Sequence, residues 1–248
     1  VRALERATVI SQWGWKRPHI HRPSLDVVVP PMLKVSSMLE ASPFLRADVS
    51  PAALAASSAA LAASPEQLLL SFVGSIRPKN RGYSFGVRQE IFRRYNATKG
   101  FFLRDLRGES IRGVHKRMEH AEFLALHHRS KFCLAPAGMG FSTRVYESVA
   151  QGCVPLIIQH EDESDTEADQ AFEDMLPYAN FSLRLRKEDI AELPRILAAF
   201  PRERWLELRR NLGCVWPRIM WLRAQKPALV GGAGGGAAEA AQLQEYDA

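Results

Sequence analysis

The chain has 248 residues, of which 46% are hydrophobic and 24% charged, with a formal net charge of +6. That is enough apolar material for a full core and enough length for one α/β domain plus part of another, which excludes a disordered chain. No apolar run approaches the ~18 residues a membrane span needs, nothing reads as a signal peptide, and the Lys and Arg residues are scattered rather than striped, so an anionic partner is favoured but nucleic acid is not.

Residues 1–25 carry Trp13, Trp15, His19 and His21 in an irregular, Pro-punctuated stretch. His19 and His21 have no third ligand nearby, so no metal is expected there. Asp26 to Pro31 (DVVVPP) reads as a short buried strand stopped by prolines. Residues 41–65 are rich in Ala, Ser and Pro and almost without large apolar side chains. They are expected to be a low-complexity insertion, partly helical because alanine is a good helix former, without a functional role.

A regular alternation follows. Leu68 to Gly74 (LLLSFVG) is a continuous apolar run suited to a strand covered on both faces. The spacing then predicts a basic loop over 75–84, a helix over 85–95, a strand over 100–106, a helix over 116–128 and a strand over 132–136. Further elements are a helix over 143–150, a strand over 154–159, a helix-like 170–176, a strand over 181–186, and helices over 187–199 and 202–223. Strands alternating with helices imply βαβ units and a mainly parallel sheet with helices on both faces. In such sheets ligands sit beyond the carboxyl ends of the strands. The Gly- and Ala-rich stretch 225–248 reads as a disordered tail.

Three cysteines, Cys133, Cys153 and Cys214, show no CxxC spacing and an odd total, which suggests neither a zinc site nor a disulfide framework. Cys133 and Cys153 lie in apolar runs and are expected to be buried free thiols. Two sequons, at Asn96 and Asn180, would permit glycosylation in a secretory lumen. The acidic run Glu161, Asp162, Glu163 and Asp165 reads as a solvated loop, and Trp205, Trp216 and Trp221 as core filling. His127 and His128 end a helix, where a cation suits the dipole.

The stretch 130–158, SKFCLAPAGMGFSTRVYESVAQGCVPLII, is the most informative. A buried strand ends at Pro136, and Gly138 and Gly140 let the backbone approach a ligand closely. Ser142 or Thr143 can cap the next helix, whose free amides favour phosphate. Arg144 in the first turn opposes the helix dipole unless an anion is present. Glu147 shares its face and is placed either for ribose hydroxyls or for an ion pair with Arg144.

The run SKFCLAPAG, then Ser142-x-Arg144, Glu147 and GCVPLII, resembles the sugar-donor motif of the exostosin family, glycosyltransferase family 47. DVVVPP at 26–31, FVGSIRP at 72–78 and AFEDMLPYANFSLRL at 171–185 are similar to family segments in the same order. The resemblance implies a GT-B-like, Rossmann-like α/β fold whose C-terminal, nucleotide-sugar-binding domain occupies 66–224. Residues 1–40 would then be the remnant of an incomplete N-terminal, acceptor-side domain.

Carried over by position, the donor-binding residues would be Arg77, Gly138, Ser142, Arg144, Glu147 and, more weakly, Glu173, with no catalytic base identifiable. The implied activity is transfer of a sugar from a UDP-linked donor to a polysaccharide or glycoprotein glycan by an inverting, metal-independent route. No cofactor is implied beyond that donor. The implied setting is the lumenal side of the Golgi membrane, with membrane attachment only through an anchor this chain lacks. The alternative is a non-catalytic relative that partners an active glycosyltransferase. A Rossmann oxidoreductase is disfavoured, because no GxGxxG follows a strand.

Overall fold

The computed structural model describes residues 7–15, 21–23, 25–33, 42–43, 51–80, 82–106, 110–111, 114–115, 118–138, 140–158 and 168–221. His19, the acidic run 161–165 and the tail 225–248 lie outside the described residues.

The strands are β1 (Ile10–Ser11), β2 (Gly14–Trp15), β3 (Val27–Val28), β4 (Leu68–Gly74), β5 (Phe101–Asp105), β6 (Ser110–Ile111), β7 (Val114–His115), β8 (Ser130–Leu134), β9 (Val154–Ile157), β10 (Ala168–Asp169) and β11 (Leu183–Arg184). The helices are α1 (Pro51–Ala63), α2 (Val87–Tyr95), α3 (His120–Arg129), α4 (Arg144–Ala150), α5 (Leu193–Ala198) and α6 (Arg202–Val215). Five strands form one parallel sheet in the order β11-β9-β8-β4-β5.

The apolar run of β4 is explained by cover on both faces. Leu70 and Phe72 join the main core with Ile91, Phe132 and Trp205, whereas Val73 packs with Met118 and Leu126 in a second cluster. Successive strand residues point to opposite faces, so helices flank both sides of the sheet. This is a Rossmann-type α/β unit, as expected of a GT-B-like fold. From β4 the chain crosses to β5 on one side and then to β8 on the other. The order therefore reverses between β4 and β8, and the crevice at their carboxyl ends is where such sheets bind ligands.

The N-terminal residues pack onto this unit. β1 pairs with β3 in parallel, and β2 pairs with β10 antiparallel. Asp26 explains the first residue of DVVVPP: its carboxylate accepts from the Val9 and Arg22 amides at 3.0 and 2.8 Å and pairs with the Arg22 guanidinium. Gly14 is required by close approach, since a Cβ there would lie 2.5 Å from Val28 Cγ2 and 2.7 Å from the Asp169 carbonyl oxygen.

Several expectations need correction. Cys133 and Cys153 are not free thiols: they form a disulfide between β8 and the residue preceding β9, leaving Cys214 free and exposed. Segment 170–176 is a series of turns rather than a helix, with Phe172 left-handed at φ 54° and the Glu173 carboxylate accepting from the Gln170 amide.

The Ala-rich stretch contains a 13-residue helix that packs on α6, with Leu61 and Ala62 against the main core and Ser58 bonded to Arg209. Trp221 is 47% exposed and donates to the Pro30 carbonyl, so it is not core filling, unlike Trp205. Burial pushes the His127 pKa down to about 4, so this ring is a neutral core group rather than a cation at a helix end.

Candidate functional site at the carboxyl ends of β4 and β8

Two loops flank the point where strand order reverses. The first runs from Ser75 to Gly86, between β4 and α2, and the second from Ala135 to Thr143, between β8 and α4. Asp105, at the end of β5, begins to shape the first loop by accepting the Ile76 amide at 3.0 Å. Gln89 then ties the loop down from α2, its side-chain amide donating to the carbonyls of Arg77, Asn80 and Tyr83 at 3.3, 2.9 and 3.1 Å. Within that frame Arg77, Ser84 and Phe85 all hold left-handed backbone, at φ 52°, 54° and 51°. Non-glycine residues pay roughly 1–3 kcal/mol each for such conformations and keep them only where surrounding contacts impose them.

Arg88 joins the two loops. It is only 6% exposed, and its Nε donates to the Ala137 carbonyl at 3.1 Å and its Nη2 to that of Pro136 at 3.3 Å. Its Nη1 donates to the Ser75 carbonyl at 3.1 Å and to the Tyr83 hydroxyl at 2.9 Å. A direct bond from the Ser84 amide to the Gly138 carbonyl, 2.9 Å, closes the junction. Burial pushes the Arg88 pKa down to about 10, with the charges of Arg144 and Arg77 adding to the effect. Sequence reasoning missed Arg88. The available signal was an arginine set among Val87, Ile91 and Phe92, on a helix side that otherwise turns to the core.

Of the six candidates, the structure brings Arg77, Gly138, Ser142, Arg144 and Glu147 to this edge. Arg77 lies with its guanidinium 4.5 Å from the centre of the Tyr83 ring. Ser142 Oγ accepts from the Arg144 amide at 3.3 Å, whereas Thr143, the residue preceding α4, makes no capping bond and donates its hydroxyl to Glu147 at 2.8 Å. Arg144 is ion-paired with Glu147, and its guanidinium stands 5.3 Å from the centre of the Phe123 ring. With only seven residues, α4 supplies a weaker dipole than a long helix would, so side-chain charge matters more here.

Glu173 is separate from this group. It pairs with Arg184 at 2.8 Å and sits beside the buried hydroxyls of Tyr146 and Tyr178, both of which burial pushes above their usual pKa. A crevice lined by Ser71, Phe123, His127, Cys133, Arg144 and Ser148 has room for little more than one water molecule. His21 faces Asp169 at 3.3 Å, and no group of three metal-binding side chains occurs among the described residues.

Residues 15–200 match the model of the exostosin GT47 domain. The chain belongs to that family. It is 26% identical over 200 residues to a probable glucuronosyltransferase of Oryza sativa subsp. japonica, covering 78% of this chain and 39% of that protein. It is 32% identical over 144 residues to a probable glucuronoxylan glucuronosyltransferase of Arabidopsis thaliana, covering 55% and 28%. Against a probable beta-1,4-xylosyltransferase of the same plant it is 24% identical over 218 residues, covering 84% and 43%. The exostosin chain thus spans less than half the length of these curated relatives. No helix among the described residues is long and apolar enough to cross a membrane.

Proposed function

We propose that this exostosin chain carries the donor-binding part of an enzyme that moves a sugar from a UDP-linked donor to a polysaccharide or glycoprotein glycan. The observation that carries the reading is the convergence of Arg77, Arg88 and Arg144 on the two loops where the strand order reverses. A leaving nucleoside diphosphate gains negative charge in the transition state, and fixed cations and amides at that position lower the barrier without a metal. Arg144 and Ser142 would meet the diphosphate and Glu147 the ribose hydroxyls, with Gly138 allowing close backbone approach. Inversion at the anomeric carbon would use a base from outside this donor unit. The relatives' names support glucuronate or xylose as the sugar moved. The Cys133–Cys153 disulfide fits an oxidising compartment such as the Golgi lumen.

The test is calorimetric titration of the purified protein with UDP, GDP and ADP. UDP should bind most tightly, and Arg144→Ala should weaken it by roughly 10- to 100-fold, the loss of a hydrogen bond to a charged group. Unchanged affinity in that variant would remove Arg144 from the site. Failure of the wild type to bind any of the three nucleotides would overturn the reading as a whole.

A further inference from the structure

The loop between β4 and α2 has more hydrogen-bond donors than its own structure uses. A guanidinium carries five N–H groups. Arg88 spends four of them, one on Nε, two on Nη1 and one on Nη2. The fifth, on Nη2, is uncommitted among the described residues. That nitrogen is also the Arg88 atom nearest Gly138, 3.8 Å from where a Cβ on that glycine would lie. Of the other buried polar side-chain atoms without a hydrogen-bond partner among the described residues, three belong to this region: Arg77 Nε, Ser84 Oγ on a wholly buried side chain, and the acceptor Gln89 Oε1 on α2.

The charge balance points the same way. All four acceptors around Arg88 are neutral carbonyls or a phenol, so no carboxylate bonded to it neutralises this buried cation. Buried polar groups are normally satisfied, and a buried charge is normally paired. Glu147, the nearby carboxylate, is already paired with Arg144 and bonded to Thr143. Spare donors beside an unpaired guanidinium form a site for an anion rather than for a sugar hydroxyl or a cation. The left-handed backbone at Arg77 and Ser84 holds these donors in place before a ligand arrives.

We propose that Ser84 and Arg88 complete, with Arg77, an anion subsite that holds one phosphate group of the donor's diphosphate. This rests on the nucleotide-sugar reading for the name of the ligand, while the subsite itself rests on the donors just counted. Arg88 has two roles there: it fixes the two loops at their junction, and it presents charge beneath Gly138.

The experiment titrates the purified chain and its Ser84→Ala and Arg88→Lys variants with inorganic phosphate, pyrophosphate, UDP and uridine, with melting temperatures measured in parallel. Both variants should lose about tenfold in affinity for pyrophosphate and UDP alike and leave uridine unchanged. UDP binding more tightly than pyrophosphate identifies the nucleotide as the source of the anion.

Arg88→Lys adds a readout that a purely structural role would not move. A buried lysine loses its proton more readily than arginine. UDP affinity of that variant should therefore fall between pH 7 and pH 9, where the wild type stays level. If Arg88→Lys does not fold, Ser84→Ala decides, because its hydroxyl has no partner to lose. Wild-type affinity for pyrophosphate and UDP in folded Ser84→Ala overturns the subsite and leaves the donor assignment to Arg144 standing. A wild type that binds pyrophosphate but no nucleotide keeps the subsite and overturns the nucleotide-sugar reading.

Discussion

Cys133 and Cys153 are bridged across β8 and the start of β9, three residues before the Pro136 turn that opens the second site loop. The bridge closes a loop with a sequence separation of 20 residues. Chain entropy alone makes that worth about 3 kcal/mol. Each kcal/mol shifts the melting temperature of a domain of this size by ~2–4 °C. Melting with and without dithiothreitol should therefore differ by roughly 6–12 °C, the oxidised form being the more stable. Denatured, unreduced protein should show a single reactive thiol, Cys214. Three reactive thiols would show that the bridge does not form.

The pairing of Arg144 with Glu147 leads to a second prediction. In the wild type, a Glu147 that accepts from ribose hydroxyls should make UDP bind about tenfold more tightly than 2′-deoxy-UDP, one charged hydrogen bond being worth ~1.5–3 kcal/mol. Glu147→Ala should bring the two ligands to equal affinity. If discrimination persists in the variant, another group reads the ribose and Glu147 serves only to hold Arg144. Calorimetry on the four combinations separates these outcomes.

Much of the architecture was legible because its signal is local. Leu68–Gly74 and Ser130–Leu134 are short apolar runs between turn residues, and a strand buried on both faces needs little else. What escaped depended on long-range partners. Nothing near Ser58 reveals that Arg209, 151 residues away, bonds to it, so the Ala-rich stretch looked unanchored. Two cysteines 20 residues apart look unrelated until β8 and β9 are known to be neighbours. Segment 170–176 has helical composition, yet the Glu173 carboxylate takes the Gln170 amide and Phe172 turns left-handed. At the site, the motif residues were visible in the sequence, whereas Arg88 became a candidate only when its bonds to both loops were seen.

The anchor of α1 is itself testable. Arg209 is buried, donating to Ser58 Oγ at 2.6 Å and to the Gly152 carbonyl at 3.0 Å, and burial pushes its pKa down to about 10. Ser58→Ala leaves a buried charged donor short of an acceptor and should cost about 1–3 kcal/mol. Arg209→Met removes the charge together with its requirement for partners. A double-mutant cycle by urea melting should give a coupling of about 0.5–3 kcal/mol between the two sites. Strict additivity would mean that α1 gains no stability from this bond.

His127 gives the fold a pH dependence of defined sign. Its Nδ1 bonds to the Phe123 carbonyl at 3.0 Å, its ring meets Phe123 edge-on, and burial pushes its pKa down to about 4. In the unfolded chain the same side chain titrates near 6.5. Between those values the unfolded state binds the extra proton and the folded state does not. The contribution is thus complete above about pH 6.5 and is lost as pH falls toward 4, to a total on the order of 3 kcal/mol. His127→Gln keeps a donor for the Phe123 carbonyl but cannot titrate. Urea-unfolding free energies at pH 7.0, 6.0, 5.0 and 4.5 should decline more steeply for the wild type than for this variant. Parallel pH profiles would mean that the histidine is charged inside the core or that the ring is reached by water.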